Sequence, residues 1–377
     1  MTVLPVVASC PRCRARLGAQ LRCNGCGESY PSLASVRVLL PEPSSRIEYW
    51  QRQLGLVIRH SLDTKNTLLE QVSRASLGVA TQTRLLGLAR AILEQVEDVS
   101  AVLGPALGGQ LPPDGNVALP RGALDYLSYL HRDWAWPGGP DGENESALAA
   151  VRRVAEGRAL GRVLVIGAGA CRLAYDLHVE CGATETSALD IDPFLLVMAE
   201  AVIRGASPAL TETSVNAPEV DPVSHRWTLA APRGALAEDQ FRFFLADGTE
   251  PPFADGSFDT VVTPWFIDQV PTDLPGFVGN LERLLTPGGR WLNHGPLIYP
   301  PDKLPIAAWY SREEIFELAR AAGFTIGAWQ SASVPCLVSP LTGRGKLETV
   351  LTFAARSLLS EPTGPGYPLR RCRTASR

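Results

Sequence analysis

VLVIGAGACRLA, residues 163–174, is the stretch that decides the fold of this chain. Its first four residues are apolar and mostly β-branched, which is typical of a buried strand. Gly167 and Gly169 follow in a Gly-x-Gly turn, and a helical pattern starts directly after it. Glycine suits such a turn because it adopts positive φ and lets a ligand approach the backbone. The stretch therefore predicts a strand, a tight turn and a helix whose first N–H groups face a ligand.

Two later strand ends carry acidic residues. Asp190 lies about twenty residues beyond the glycine turn, where a carboxylate can accept both ribose hydroxyls of a nucleoside. Asp247 and Gly248 follow another apolar run. A dinucleotide dehydrogenase would more often keep a third glycine where this chain has Arg172. A Rossmann-like domain that binds no cofactor remains an alternative.

The order of these motifs resembles the class I S-adenosylmethionine-dependent methyltransferases. A glycine loop, a ribose acid and an adenine-side acid are followed by TPGG, residues 286–289, before one more strand. The resemblance implies an α/β fold with a Rossmann-like, seven-stranded sheet and S-adenosyl-L-methionine as the cofactor. We expect this domain to span residues 151–358.

Composition fits a globular enzyme without a membrane segment. The 377 residues are 45% hydrophobic and carry a formal net charge of −4. Such a charge creates no basic field for nucleic acid or an anionic membrane. Because the sequence also lacks an apolar run of membrane-spanning length, we expect a cytoplasmic protein with no membrane partner.

The first forty residues contain a metal-type cysteine pattern. Cys10 and Cys13 form one C-x2-C pair, and Cys23 and Cys26 form a second. Four thiolates at this spacing predict a structural Zn²⁺ site in a zinc ribbon over residues 1–40. The module is similar to small zinc ribbons that precede some RNA methyltransferases. Its arginines leave open a contact with RNA or a protein, besides a purely structural role.

The segment between ribbon and sheet is predicted to be helical over residues 44–150. Apolar residues recur at helical spacing from residue 46 to about residue 103, which indicates two or three amphipathic helices. Residues 104–119 are rich in Gly and Pro and predict a loop. Residues 206–237 form an insertion, either a lid or a surface excursion. The tail, residues 359–377, is predicted to be disordered.

Four stretches together resemble the carnosine N-methyltransferase (N2227-like) family. They are YLHRDWAW at 129–136, the glycine loop, FDTVVTPWFID at 258–268 and LTPGGRWLNHGPLIYP at 285–300. The likeness covers roughly residues 121–355 and leaves out the zinc module. It implies methyl transfer to an imidazole nitrogen of a small molecule or peptide.

The resemblance also implies roles for individual residues. Cofactor-binding positions are Gly167, Gly169, Arg172, Asp190, Asp247 and Gly248. Asp268 matches the acid that holds the substrate imidazole, and Trp265 matches a substrate-facing aromatic residue. The alternative role for Asp268 is a helix cap, for which Thr272 and Asp273 also qualify.

Two departures from the family pattern indicate an acceptor other than carnosine. The family's histidine after Gly-Pro-Leu-Leu-Tyr is replaced here by Pro300, next to Tyr299. The region 345–351 lacks the tyrosines that the family uses nearby. His294 stands where the family usually has an apolar residue, and together with Tyr299 it follows a buried strand at the border of the same pocket. We therefore predict catalytic roles for Asp268, His294 and Tyr299. Trp265, Asp268 and His294 are the predicted substrate-binding residues. An RNA methyltransferase and a non-catalytic cofactor-binding partner protein remain as alternatives.

Overall fold

The computed structural model describes residues 7–18, 20–74, 76–108, 126–138, 142–216, 220, 222–270, 273–301 and 304–359. The predicted tail beyond residue 359 and most of the predicted 104–119 loop lie outside these residues. Within the described part of the chain, no helix has both the length and the apolarity needed to cross a membrane.

The strands of the main sheet come from both ends of the described chain. Its members are β1 (Ser32–Leu33), β2 (Val36–Leu39), β3 (Gly161–Ile166), β4 (Ala183–Asp190), β7 (Phe241–Ala246), β8 (Phe258–Pro264), β9 (Leu285–Gly295), β10 (Phe324–Cys336) and β11 (Lys346–Ser357). The order across the sheet is β1-β2-β7-β4-β3-β8-β9-β11-β10. Strands β2 to β9 run parallel in this order, whereas β11 is antiparallel to both β9 and β10. This confirms the α/β class, with seven core strands from β7 to β10.

Two strands extend the core beyond the predicted seven. β2 pairs in parallel with β7, and β1 pairs with β2 in antiparallel fashion. Both strands belong to the cysteine-bearing N-terminal segment. The predicted ribbon is therefore built onto the edge of the main sheet.

Eight α-helices accompany the strands in the described residues. They are α1 (Pro43–Arg74), α2 (Val79–Leu107), α3 (Leu127–Trp134), α4 (Glu143–Val154), α5 (Arg172–Glu180), α6 (Pro193–Ile203), α7 (Leu274–Leu284) and α8 (Arg312–Ala321). The region from 46 to 103 thus forms two long helices, within the predicted number. The predicted loop start at residue 104 is wrong, because α2 continues through Pro105 to Leu107.

Alternation along the strands divides the core between the two faces of the sheet. In β3, Val163 and Val165 pack into one hydrophobic cluster, whereas Leu164 and Ile166 pack into the other. Successive side chains of a strand point to opposite faces, so each cluster covers one face. The first cluster includes residues of α1 to α6. The second includes residues of α7 and α8 together with the cysteine-bearing segment.

The TPGG turn lies inside β9 as an irregularity. Phe258 pairs with Leu285, but Thr260 already pairs with Arg290, so residues 286–289 bulge out of the ladder. Gly288 has a φ of 70°, which the turn requires. The predicted turn is present, as a bulge within β9.

The insertion over 206–237 contains a hairpin that packs on the helices. β5 (Ala209–Thr213) pairs with β6 (Ser224–Thr228), and β5 contacts α2 and α3. Glu212 accepts hydrogen bonds from the indole N–H groups of Trp136 and Trp227 at 2.9 and 2.8 Å and from the Ser339 hydroxyl at 2.5 Å. This carboxylate therefore ties the insertion to the loop between β10 and β11.

Candidate active site

The glycine loop joins β3 to α5 with two residues at positive φ. Gly167 has a φ of 73° and Gly169 a φ of 54°. A Cβ on Gly167 would lie 2.6 Å from the Phe266 ring, so this glycine makes room for a side chain of the protein. At Gly169, no described heavy atom beyond its chain neighbours lies within 4 Å of the position that a Cβ would take. Gly169 is therefore the residue at which a ligand can approach the backbone.

Asp190, at the end of β4, is held in place by backbone N–H groups. Its Oδ2 accepts from Gly169 at 2.7 Å, and its Oδ1 accepts from Ile191 and Asp192 at 2.7 and 2.9 Å. Burial raises the pKa of this carboxyl, against the lowering effect of those N–H groups. The predicted ribose acid and the glycine loop are thus directly connected.

The second predicted acid follows β7 on the other side of β4. Asp247 is exposed and accepts hydrogen bonds from the N–H and hydroxyl of Thr249 at 2.8 and 2.6 Å. Gly248 is buried, and a Cβ there would lie 2.7 Å from Phe266 and 2.8 Å from Ile166. The Phe266 ring therefore packs against both Gly167 and Gly248 and forms a shared wall between the two loops.

The Arg172 side chain is engaged with protein groups. Its Nε donates to Asp176 at 2.8 Å, and its Nη1 donates to the carbonyl of Asp133 at 2.7 Å. The guanidinium also lies 5.9 Å from the ring centre of Trp134. Arg172 thereby fastens the start of α5 to α3.

Asp268 lies just beyond β8, in a short 3-10 helix over Ile267–Gln269. Only 2% of its surface is exposed. Its Oδ2 accepts from the Ile298 N–H at 3.1 Å, while its Oδ1 is buried and has no hydrogen-bond partner among the described residues. We call Oδ1 the open oxygen of Asp268. Burial raises the pKa of this carboxyl to about 6, against the lowering effects of the Ile298 N–H and Gln269.

Trp265, three residues before Asp268 in the chain, packs against His294. Their rings lie edge to face with centres 4.7 Å apart, and the Trp265 backbone N–H donates to the His294 carbonyl at 2.8 Å. His294 is buried, and its Nδ1 lies 2.8 Å from the Thr352 hydroxyl. Burial and the nearby Arg132 lower the pKa of His294 to about 4, so the ring is neutral at pH 7. Trp265 has a φ of 45°, a left-handed backbone conformation that few residues other than glycine adopt.

Tyr299 lies on the segment that also supplies the Ile298 N–H to Asp268. Its hydroxyl donates to the carbonyl of Tyr310 at 3.1 Å, and its ring stacks on Trp309 at 6.5 Å between centres. Burial raises the pKa of this phenol to about 12, so it stays protonated. The hydroxyl of Tyr299, one of the predicted catalytic residues, is therefore hydrogen-bonded to the protein backbone.

The predicted residues form two adjacent groups. β3 and β8 are paired in parallel, so the glycine loop and the Trp265–Asp268 segment emerge at the same edge of the sheet. In open α/β sheets, ligands bind outside the carboxyl ends of the strands. Phe266 links the two groups, because it contacts the glycine loop and lies two residues before Asp268. The arrangement can hold a nucleoside over the glycine loop beside an acceptor that bonds to Asp268.

Comparison with known proteins identifies the family of this chain. The carnosine N-methyltransferase family model matches residues 125–334, more than half of the chain. The chain belongs to the carnosine N-methyltransferase family. The carnosine N-methyltransferase of Dictyostelium discoideum is 44% identical over 45 residues, which are 12% of this chain and 10% of that relative.

Solved methyltransferases are more distant from this family member. A phosphoethanolamine N-methyltransferase of Haemonchus contortus, in complex with phosphomonomethylethanolamine and S-adenosylhomocysteine, is 18% identical with a TM-score of 0.41. It covers 63% of this chain, and 58% of its own length is matched. A SAM-dependent methyltransferase of Methanosarcina mazei is 17% identical with a TM-score of 0.36, covering 53% and 93% of the two chains.

Two residues next to Trp265 were not among the site residues predicted from the sequence. Arg132 bonds to Asp133 and Glu143 at 2.6 and 2.9 Å, and its guanidinium lies 6.0 Å from the Trp265 ring centre. Glu348 on β11 accepts from the Trp265 indole N–H at 3.1 Å. Arg132 lies in the family's Arg-Asp-Trp triplet, so that motif could have indicated it. Glu348 has no such motif, and only the sheet pairing brings it here.

The four predicted metal ligands of this family member also converge. The sulfur atoms of Cys10, Cys13, Cys23 and Cys26 all lie within 4.8 Å of one another. Four such sulfurs can hold a tetrahedral ion. Cys171 and Cys181 lie elsewhere in the fold.

Proposed function

We propose that this chain is an S-adenosylmethionine-dependent N-methyltransferase that acts on an imidazole nitrogen of a small molecule or peptide. The observation that carries the proposal is the open oxygen of Asp268. A buried acceptor without a partner costs about 1–3 kcal/mol, so a fold retains one where a ligand completes it. An imidazole N–H supplies the donor that this oxygen lacks.

The donor side is supported by the glycine loop and the two acids beside it. Gly169 leaves space for close approach to the backbone, and Asp190 is oriented by three N–H groups at the loop. Asp190 would hold the ribose hydroxyls, while Asp247 and Gly248 would border the adenine. When bound, S-adenosylmethionine supplies a methyl group attached to a positively charged sulfur. The sulfur becomes a neutral thioether when the methyl group is transferred.

On the acceptor side, Asp268 would select the reactive form of the imidazole. A neutral imidazole has one N–H and one lone pair, and its reference pKa of about 6.5 makes it a competent nucleophile near pH 7. Asp268 accepts the N–H of one nitrogen and thereby presents the lone pair of the other. As the ring becomes an imidazolium, the same carboxylate stabilises its positive charge.

The neighbouring groups would orient the ring without exchanging protons. His294 stays neutral and Tyr299 stays protonated near pH 7, so neither group gains or loses a proton in that range. Trp265 offers an aromatic wall beside Asp268. Pro300 replaces a family histidine, and the region 345–351 lacks the tyrosines that the family uses nearby. These differences support an acceptor that is related to carnosine but distinct from it.

We also propose that the four N-terminal cysteines bind a structural Zn²⁺. Thiolate ligands suit zinc, and a closed set of four leaves no open coordination position for catalysis. The ion pairs of the N-terminal segment weaken the argument for RNA binding that its arginines offered. Arg12 and Arg14 are paired with Glu28 and Glu250, which removes part of its basic charge.

The proposed function is tested by finding the acceptor. The zinc-loaded protein is incubated with S-adenosylmethionine that carries a labelled methyl group and with an extract of metabolites and peptides, and in a parallel reaction with total RNA. Mass spectrometry then identifies the molecules that gain the label, with Asp268→Asn as the matched control. Labelling of an imidazole by the wild type alone supports the proposal. Labelling of RNA, with steep salt dependence that Cys13→Ser removes, would favour the RNA alternative. Cofactor binding without any labelled molecule would favour a non-catalytic partner protein.

A further inference from the structure

The cysteine-bearing segment contacts the loop that follows β7. We define the cysteine module as residues 7–40 and the adenine-side loop as residues 247–254, which begins with Asp247. The Ser9 N–H donates to the Pro252 carbonyl at 2.8 Å, and the Ala254 N–H donates to the Val7 carbonyl at 3.1 Å. Ala8 and Phe253 form an antiparallel bridge between these bonds. The end of the loop is thus paired with the chain just before Cys10.

A second connection reaches the start of the same loop. β2 of the cysteine module pairs with β7 residue by residue, and its last pair joins Leu39 to Ala246. Ala246 immediately precedes Asp247. Arg14 also pairs with Glu250 at 2.8 Å, in the middle of the loop. The module therefore contacts the adenine-side loop at both ends and at its centre.

Side-chain packing joins the metal ligands to the same loop. Phe253 is 1% exposed and belongs to one hydrophobic cluster with Cys10, Cys23 and Tyr30. Its ring centre lies 5.0 Å from those of Phe244 on β7 and Phe258 on β8. The Tyr30 hydroxyl lies 3.0 Å from the Cys10 sulfur. Displacement of the cysteines would therefore loosen the packing around Phe253.

A bound ion would join the two halves of the module. The four sulfur atoms lie within 4.8 Å of one another, so one tetrahedral Zn²⁺ can link the Cys10–Cys13 pair to the Cys23–Cys26 pair. In small zinc modules the free energy of metal binding is the free energy of folding. Loss of the ion should therefore release the contacts of Val7, Ser9 and Arg14 with the loop.

We infer that the cysteine module is a positioning element of the methyl-donor site, which holds the adenine-side loop in its binding conformation when a metal is bound. The inference rests on the proposed donor site at Gly169, Asp190 and Asp247. A loop that must be ordered on binding lowers the affinity for its ligand, because the ordering entropy is lost at that step. Metal loading is thereby linked to donor affinity through this loop.

The test measures metal content and S-adenosylhomocysteine affinity on the full-length chain. The variant Cys13→Ser removes one ligand, Cys13→His offers a conservative replacement because His also binds zinc, and Cys181→Ser changes a cysteine outside the cluster. Calorimetry gives the dissociation constant, and hydrogen exchange reports the order of residues 247–254 and, separately, of β10 and β11. We expect Cys13→Ser to lose zinc, weaken S-adenosylhomocysteine binding about tenfold or more and speed exchange in the loop alone. Cys13→His should keep zinc and bind S-adenosylhomocysteine more tightly than Cys13→Ser does, whereas Cys181→Ser should behave like the wild type.

Chemical removal of zinc from the wild type provides a second route that needs no substitution. Readdition of Zn²⁺ should restore the original affinity. Unchanged affinity in the metal-free protein would overturn the inference, as would a native chain that binds no zinc. Exchange that accelerates equally in β10, β11 and the loop would also overturn it, since the module would then support the whole fold. If the zinc-loaded wild type bound no S-adenosylhomocysteine, the proposed function itself would fail.

Discussion

The Ile298 backbone N–H donates to Oδ2 of Asp268 at 3.1 Å, which fixes the carboxyl group while Oδ1 stays the open oxygen. The donor comes from the segment after β9, and the acceptor from the segment after β8. This bond holds a buried carboxylate in one orientation at the edge of the sheet. The proposed recognition of an imidazole depends on that orientation.

Replacement of Asp268 by Asn should reduce methyl transfer strongly. Asn can still accept from Ile298, but it carries no charge to stabilise the imidazolium and can present an N–H in place of the open oxygen. We expect kcat/KM to fall about 10²- to 10⁴-fold. Initial rates with a labelled methyl donor measure the effect. Activity within threefold of the wild type would remove Asp268 from the acceptor site.

The same substitution should stabilise the protein at neutral pH. Burial raises the pKa of the Asp268 carboxyl from 3.8 to about 6, so the folded chain binds this proton more tightly than the unfolded chain. Proton binding by Asp268 therefore adds to the free energy of unfolding at low pH, and this stabilisation is lost as the pH rises from about 4 to about 6. Asn avoids this loss, so Asp268→Asn should gain up to about 3 kcal/mol at pH 8. Urea unfolding at pH 8 and pH 4 measures it, with no gain expected at pH 4.

Activity should depend on pH through the same carboxyl. Asp268 accepts the imidazole N–H only when ionised, and the acceptor ring reacts only when neutral. Both conditions improve as the pH rises through about 6 to 6.5, so kcat/KM should increase and then level off above pH 7. A pH profile between 5 and 8.5 checks this expectation. Because the pKa of His294 is lowered to about 4, His294→Asn should leave the position of this rise unchanged.

Gly248 should tolerate no side chain, in contrast to Gly279. A Cβ on Gly248 would lie 2.7 Å from Phe266 and 2.8 Å from Ile166, whereas no described atom crowds that position at Gly279, inside α7. We expect Gly248→Ala to lower the free energy of unfolding by about 1–3 kcal/mol. Gly279→Ala should raise it by about 0.5–1 kcal/mol, because alanine favours a helix. Equal behaviour of the two variants in urea would contradict the packing of Phe266.

Glu212 should contribute to stability through the groups that it binds. Glu212→Ala leaves two indole N–H groups and the Ser339 hydroxyl without this acceptor. We expect a loss of about 2–4 kcal/mol in the free energy of unfolding, since the buried Ser339 hydroxyl and two half-buried indole N–H groups lose one partner together. Glu317→Ala, on the exposed side of α8, should change it by less than about 0.5 kcal/mol. Tryptophan fluorescence would report both the unfolding and the local change near Trp136 and Trp227.

The core of the fold could be predicted because its motifs are local. A glycine turn between strand and helix, and acids at strand ends, are readable within about ten residues each. The pairing of β2 with β7 could not be predicted in this way, because it joins residues about two hundred positions apart. Pro105 suggested a loop, yet α2 continues past it, since the packing of the helix outweighs the local preference.

The candidate site was predictable only where single motifs carry it. Asp190 and Asp268 stand at or just beyond strand ends, so parallel topology places both of them at the same edge of the sheet. Glu348 reaches Trp265 from β11, and the Phe266 ring lies between two glycines of separate loops. Those contacts depend on how the strands are ordered and on side-chain packing, which spacing along the chain does not encode.

The decisive test is whether the glycine loop and Asp190 bind the methyl donor while Asp268 lies outside that site. It is a calorimetric titration with S-adenosylhomocysteine, performed on the zinc-loaded wild type and on two single variants. Asp190→Asn removes the charge at the glycine loop, and Asp268→Asn removes the charge on the acceptor side. We expect tight binding by the wild type, binding weaker by about tenfold or more for Asp190→Asn, and nearly unchanged binding for Asp268→Asn. Absence of binding by the wild type, or a loss confined to Asp268→Asn, would contradict it.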